Sequence, residues 1–393
     1  MIHLFINALA ASAGGGLTYV RNVIPHLATR NGVQATVLLD PRLRSELHAP
    51  PNVAFVEREA SGQTMLRYWF EQSAARDLIR NSGANVLLSS GNFALWNSPV
   101  PQILLSRNSL YTSHDFSSDL RARGEYRLWI DTQVKAAFAK WSIAIADLVV
   151  APSEAFAEDL RQWIGRPVTA VHHGFDREAF VRDQSALPAE LRQKLSSGDD
   201  AFRLLFVSHY NYYRNFETLI RALPMIKKAL RPRKLRLFLT CKLDPGANPG
   251  AYRPEAAAAL VRELGLSEEV VELGAVPYPQ LHRVYEAAHV YVTPAYAESF
   301  AHPLVEAMSS GLPVVASDLP VHREICGSAG IYFQRFSPQE LAERVVEVAQ
   351  SSELKAQLAQ AGAERSAAFS WKHHVDRIIS LAEQLVASRR GEH

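Results

Sequence analysis

The stretch "VYVTPAYAESFAHPLVEAMSSGLPVVASD", residues 290 to 318, decides how the chain is read. An apolar run (290 to 294) leads into a loop, then a segment from Pro303 to Gly311, then a second apolar run (313 to 318). Proline suits the first turn of a helix, where its missing amide would be unpaired anyway, and glycine suits the residue just past the end. A strand, loop, helix and strand in so short a span is the building unit of a parallel sheet. Ligands of such sheets bind beyond the carboxyl ends of the strands. Glu298, in the loop, and Glu306, expected in the first helical turn, therefore stand where chemistry belongs.

The same alternation extends in both directions. In the second half, runs at 203 to 209, 235 to 241 and 270 to 275 read as strands. In the first half, runs at 2 to 7, 34 to 39, 85 to 90, 102 to 106, 146 to 153 and 168 to 173 read likewise, with helices between them. The pattern predicts an α/β chain of two Rossmann-like domains, 1–185 and 186–371, joined by a linker near 180 to 200. Val375, Ile378, Ile379, Leu381 and Leu385 recur at helical spacing and predict a terminal helix over about 372–393.

Composition narrows the function class. At 393 residues the chain exceeds the usual size of one core, and 48% hydrophobic with 21% charged residues describes a globular protein. A net charge of +2 gives no basis for nucleic-acid binding. Cys241 and Cys326 have no paired spacing, and the pairs His172-His173 and His373-His374 lack ligand spacing, so no disulfide framework or metal site is expected. The first residues lack a basic segment and run into glycines, unlike a signal peptide, and no apolar run reaches the ~18 residues that span a bilayer. A cytoplasmic protein is expected.

An ionised carboxylate only accepts hydrogen bonds and suits neighbouring hydroxyls of a sugar, while free amides at a helix N-terminus suit a phosphate. Two carboxylates around such a terminus fit a nucleotide-sugar. Taken singly, Glu306 reads more often as a helix-dipole partner, and Glu298 as a solvated loop residue, than as a ligand contact. Gly14, Gly15 and Gly16 follow the first strand and allow close backbone approach to a phosphate, but the run lacks the third glycine of a dinucleotide fingerprint, which disfavours a nicotinamide enzyme. In "LRARGEYRLWIDTQVKAAFAKW", Tyr126, Trp129, Ile130, Val134, Phe138 and Trp141 recur at helical intervals and are expected to face the core. The alternative for this helix is that Arg121, Arg123, Arg127, Lys135 and Lys140 meet a lipid-linked acceptor at a membrane surface. The basic run "IKKALRPRKLR" is expected to be a solvated helix end.

"ESFAHPLVEAMSSGLPVVASDLPVHRE" resembles the E-x7-E signature of retaining glycosyltransferases of family 4, which have the two-domain GT-B fold. The likeness extends from the glycine run through "VVAPSEAFAEDL" and "VHHGFDREAF" to "FSW". It implies two domains facing a cleft, with the last helix crossing back onto the N-terminal, acceptor-binding domain, and the second domain holding the nucleotide-sugar. It further implies that Glu298 contacts the transferred sugar, that Glu306 holds the ribose, and that backbone around Ala301, His302, Pro303 and Leu304, together with Gly15 and Gly16, approaches the diphosphate. The family's arginine and lysine, five residues apart, correspond to His209 and Arg214. Its N-terminal histidine corresponds to Asn108, beside Arg107, which become the implied acceptor or sugar contacts, while His114 reads as a surface residue. Ala301 stands where the family has glycine, and His302 where it has an apolar residue.

The implied activity is retaining, metal-independent transfer of a hexose from a nucleoside diphosphate sugar to a hydroxyl of a glycan or glycolipid, in surface polysaccharide synthesis. It needs no cofactor, and a lipid-linked acceptor would bring the protein to the inner face of the membrane. Competing readings are a sugar-nucleotide epimerase, a phosphorylase requiring pyridoxal phosphate, and a silent nucleotide-sugar-binding subunit.

Overall fold

The computed structural model describes residues 1–11, 15–48, 50–59, 64–197 and 199–391. The chain forms two compact units. One comprises Met1–Thr112, Trp129–Gly174 and Ser370–His393, and the other Ser113–Leu128 and Phe175–Phe369.

Among the described residues the first unit has strands β1 (Ile2–Asn7), β2 (Val33–Leu39), β3 (Val53–Glu57), β4 (Val86–Ser89), β5 (Gln102–Leu105), β6 (Leu148–Ala151) and β7 (Thr169–Ala170). They pair in parallel in the order β3-β2-β1-β4-β5-β6-β7. The second unit has β8 (Ala201–Phe206), β9 (Lys234–Leu239), β10 (Val270–Glu272), β11 (Val290–Thr293), β12 (Val314–Ser317) and β13 (Gly330–Phe333), in the parallel order β10-β9-β8-β11-β12-β13. Strands covered on both faces are built from continuous apolar residues, and β4, β5, β11 and β12 are buried along their whole length. The direction of winding reverses between β1 and β4 and between β8 and β11. These are the switch points at which ligands of such sheets bind.

The terminal helix Trp371–Gly391 packs into the core of the first unit through Trp371, Val375, Ile378, Ile379, Leu381 and Ala382, against the helix Gly15–Ala28 and β1. Its entry is close: a Cβ on Gly174 would lie 1.9 Å from the Trp371 amide nitrogen, so only glycine fits there. His374 is buried between the His172 carbonyl, 2.9 Å from its Nδ1, and the Tyr19 hydroxyl, 3.1 Å from its Nε2. A carbonyl only accepts, so Nδ1 carries the hydrogen and Nε2 accepts from Tyr19. His173 and His374 thus serve packing, whereas His172 and His373 are exposed.

Several expectations are corrected. The second unit begins at Phe175 rather than 186, because Phe175 stacks on Phe180 and Phe180 on Tyr278 and Tyr285, rings of the second unit. The polar segment read as linker contains the helix Ala189–Ser196, which buries Leu191 and Leu195. Residues 113–128 belong to the second unit, not the first. Arg123 bridges Asp119 and Glu217 at 2.8 Å each and lies 4.4 Å over the Tyr212 ring, and Tyr296 donates to Asp119 at 2.7 Å. The basic run is the solvated helix end that was expected: the helix Phe216–Ala229 closes there, Lys228, Arg231, Arg233 and Lys234 are exposed, and Lys227 pairs with Glu269 and Lys234 with Asp200.

The helix Tyr126–Ile145 also departs from expectation. Its buried face is Thr132, Ala136, Ala139, Ser142 and Ile143, whereas Tyr126, Ile130, Val134 and Trp141 are exposed. Small side chains allow close approach to the layer beneath, while Trp129 and Phe138 are half-buried, with the Phe138 ring 5.5 Å from Tyr68 as a core-facing residue is expected to be.

Candidate active site

In the second unit β8 and β11 end side by side, and the loops that follow carry the candidate residues. After β8, Tyr212–Arg214 forms a single 3-10 turn, closed by Asn215 in the left-handed conformation (φ 56°). Asparagine tolerates that region better than most residues. The Asn215 amide group donates to the Pro294 carbonyl at 3.1 Å, and the Tyr296 backbone amide donates to the Tyr213 carbonyl at 2.9 Å, which ties this loop to the one after β11. Across that tie Arg214 forms an ion pair with Glu298. Its guanidinium lies 5.1 Å from the Tyr213 ring centre, and its buried Nε has no protein partner. The arginine is thus held by one edge with a further donor uncommitted.

The ring of His209 is partly desolvated and lies near the Arg214 charge, and both effects hold its pKa below the usual imidazole value. His209 is neutral here at pH 7, so without a ligand Arg214 is the cation of this pair. For the sugar transfer that the E-x7-E resemblance implies, His209→Arg is expected to raise kcat several-fold, by supplying a permanent charge. His209→Ala is expected to lower kcat less than about tenfold, both read by initial-rate transfer assays at saturating donor.

The helix His302–Ser309 follows, with Pro303 in its first turn. Glu306 lies in the second turn rather than the first, because the helix begins at His302. Ala301 is its N-cap and offers no side-chain acceptor, so first-turn amides are left without a side-chain cap. The Leu304 amide turns back to the Ala301 carbonyl at 3.0 Å. Leu304 is fully buried, and His302 stacks edge-on to Phe300 at 4.8 Å.

Ala301 itself has φ 64° and ψ 64°, the left-handed region where a Cβ is penalised. The turn needs that conformation whichever residue is present. Ala301→Gly is expected to stabilise the second unit by about 1 kcal/mol, after the larger entropy loss of glycine is subtracted. A raised urea midpoint at unchanged slope is the readout.

Glu306 is buried, and the Tyr285 hydroxyl donates to its Oε2 at 2.8 Å. Burial pushes its pKa up to about 7, opposed by the hydrogen bonds from Tyr285 and Tyr278. Those tyrosines are not part of the sequence signature. Tyr285 lies on the helix Leu281–Glu286, with its ring against Tyr291 of β11. Arg123, Glu217 and Asp119, which brace Tyr212 and Tyr296, were equally out of reach of motif spacing.

In the first unit, Gly14 lies outside the described residues, and Gly15 and Gly16 open the helix Gly15–Ala28. A Cβ on Gly16 would meet the Arg107 guanidinium at 3.1 Å and the Ala11 backbone at 3.0 Å. Arg107 lies over Tyr19 at 5.7 Å, and burial lowers its pKa to about 10. The structure therefore brings Gly16 and Arg107 together. Asn108 instead caps a 3-10 turn, accepting from the Leu110 amide at 3.1 Å, and His114 is exposed. Also at the carboxyl end of β1, Asn7 donates to buried Glu71 at 2.8 Å, and Arg67 approaches the same carboxylate at 3.4 Å. Among the described residues no three histidine, cysteine, aspartate or glutamate side chains cluster as metal ligands, and no helix is long and apolar enough to cross a membrane.

Comparison with solved structures defines the fold. Sucrose-phosphate synthase from Thermosynechococcus elongatus matches with TM-score 0.78 and 21% identity over 99% of this chain and 100% of that one. Anabaena HepE, solved in complex with UDP-glucose, matches with TM-score 0.73 and 19% identity over 98% and 100%. The fold is GT-B. The family profile "Glycosyltransferase Family 4" matches residues 13–179, and "Glycosyl transferases group 1" matches 189–365. The chain belongs to glycosyltransferase family 4. Among curated relatives, D-inositol 3-phosphate glycosyltransferase 1 of Catenulispora acidiphila is 30% identical over 63% of this chain, and the Thermobispora bispora protein of that name is 29% identical over 61%. The matches span 60% and 56% of those relatives' lengths.

Proposed function

We propose that this protein is a retaining, metal-independent glycosyltransferase that moves a hexose from a nucleoside diphosphate sugar to a hydroxyl of a glycan or lipid-linked acceptor. The observation that carries the reading is the Arg214–Glu298 pair at the β8/β11 switch point, with Arg214 Nε uncommitted, beside a helix N-terminus that no side chain caps. A cationic donor beside the positive end of a helix suits a diphosphate, whose leaving oxygen gains charge in the transition state. Glu306 would accept from the ribose hydroxyls, with Tyr285 fixing its rotamer. Glu298 would orient both Arg214 and the sugar. In the reaction the acceptor oxygen bonds to the anomeric carbon as that carbon's bond to the phosphate oxygen breaks. The acceptor's proton passes to the departing phosphate on the same face, so no protein nucleophile is required.

Surface polysaccharide synthesis on the cytoplasmic side is the setting we propose. The neutral state of His209 and the engagement of Asn108 in a turn favour, as a second reading, a subunit that binds the donor without transferring it. Proton NMR of the product, formed from a panel of donors and acceptors, separates the two. The expected result is a product with the donor's anomeric configuration, at a rate unchanged by EDTA. An inverted product contradicts the mechanism, and donor binding without turnover supports the silent subunit.

A further inference from the structure

Residues 113–128 stand in sequence between β5 and β6 yet belong to the second unit. Ser113 caps the helix His114–Ala122, which buries Phe116 and Leu120. Phe116 meets the Tyr213 ring edge-on at 6.1 Å. Just past the helix, Arg123 donates from Nε to Asp119 and from a terminal nitrogen to Glu217, at 2.8 Å each, and its guanidinium lies 4.4 Å over the Tyr212 ring. The other oxygen of Asp119 accepts from the Tyr296 hydroxyl at 2.7 Å. Glu125 accepts from the Tyr212 hydroxyl at 2.6 Å and from Arg253 at 2.7 Å, and the Tyr210 hydroxyl donates to Glu217 at 3.3 Å.

These partners fall on three pieces of the candidate active site. Tyr210 and Tyr212 belong to the loop after β8 that carries Arg214, and Glu217 to the first turn of the helix Phe216–Ala229 that follows it. Tyr296 belongs to the loop after β11, two residues before Glu298. A 3-10 turn has poor hydrogen-bond geometry of its own, so Tyr212–Arg214 takes its shape from what packs on it. The Arg123 fork joins the carboxylate that anchors Tyr296 to the one that anchors Tyr210, with Tyr212 beneath. Electrostatic catalysis depends on such placement, since a shift of about 1 Å costs on the order of 10² in rate. Stability alone gives less reason for the cluster, because well-packed apolar replacements of buried ion pairs are often neutral.

We propose that Arg123 and Asp119 are positioning residues for sugar transfer: with Glu217 they fix the loops after β8 and β11 so that Arg214 and Glu298 keep the one geometry that meets the diphosphate. They act through Tyr212 and Tyr296 rather than by touching substrate. The effect on rate rests on the transfer reading, and the effect on the loops does not.

Initial rates are measured on the full chain with UDP-, GDP-, ADP- and dTDP-sugars, and amide hydrogen exchange is followed by mass spectrometry without ligand. Arg123→Met, which keeps the length and removes the charge, is expected to lower kcat at least about tenfold with donor KM within about threefold of wild type. Its exchange over residues 210–215 and 295–298 is expected to rise at least about tenfold, with β9 and β12 unchanged. Arg123→Lys is expected to recover part of both. In the Arg214→Ala background, Arg123→Met is expected to change kcat less than about threefold, because the group it places is already gone, whereas a general loss of fold would multiply the two effects. Should Arg123→Met be destabilised in urea, Tyr296→Phe, which removes only the hydroxyl on Asp119, is expected to lower kcat at least about threefold with the same coupling to Arg214. Losses that multiply, a rise in KM in place of the fall in kcat, or unaltered exchange in both variants overturns the proposal. If wild type transfers no sugar, the transfer reading falls and exchange alone decides: faster exchange confined to the two loops supports the positioning, and unaltered exchange overturns it.

Discussion

Arg214→Ala lowers kcat for sugar transfer about 10²- to 10³-fold, the range for removing one preorganised donor from a developing oxyanion. The arginine is set for that role by Asn215 in the left-handed turn behind it, by Tyr213 beneath it and by Glu298 at one edge. Arg214→Lys keeps the charge and loses the fork, so it retains part of the rate. Alanine also leaves the Glu298 carboxylate, only 9% exposed, without its cation. Urea titration of Arg214→Ala and of Arg214→Ala/Glu298→Gln therefore accompanies the kinetics. A single variant that folds normally and keeps kcat within threefold of wild type contradicts the role.

Glu306→Ala raises KM for the donor about 10²-fold, since a hydrogen bond to a charged acceptor contributes ~1.5–3 kcal/mol and the Tyr285 hydroxyl loses its partner as well. The pH dependence is more specific. Burial raises Glu306 from the ordinary 4.5 to about 7, so the folded, unliganded protein takes up a proton that the unfolded chain has released. Its contribution to stability is greatest below the unfolded value and is lost as pH rises through about 7, by on the order of 3 kcal/mol. Ribose hydroxyls prefer the ionised form. Donor binding is thus expected to tighten up to about tenfold between pH 6 and 8, and to stay flat over that interval in Glu306→Gln, as read by calorimetry.

Which of these features the sequence discloses follows from their physics. Strands buried on both faces must be apolar throughout, which is why β1, β2, β4, β5, β11 and β12 are visible as runs. The edge strands β3 and β13 are partly exposed and short, and their apolar residues, in "VAFVE" and "GIYF", are not among the runs read as strands. Pro303, Gly311 and the two glutamates are local to one loop and helix and are legible for that reason. The supports of the site are not local. Arg123 reaches Glu217 across 94 residues, and Tyr285 reaches Glu306 across 21, so no spacing announces them. The outward aromatics of the helix Tyr126–Ile145 were misassigned for a related reason: helical periodicity identifies a stripe but not its direction. The core beneath accepts Ala136 and Ala139, and Tyr126 and Trp141 are left exposed.

The most direct test of the donor site is thermal unfolding of the wild type and of Glu306→Gln in the presence of UDP-, GDP-, ADP- and dTDP-sugars. A ligand that binds only the folded protein raises the melting temperature according to its affinity. The site described here predicts that one nucleotide series stabilises the wild type and leaves the variant nearly unmoved. Equal stabilisation of both proteins, or none by any series, would contradict it.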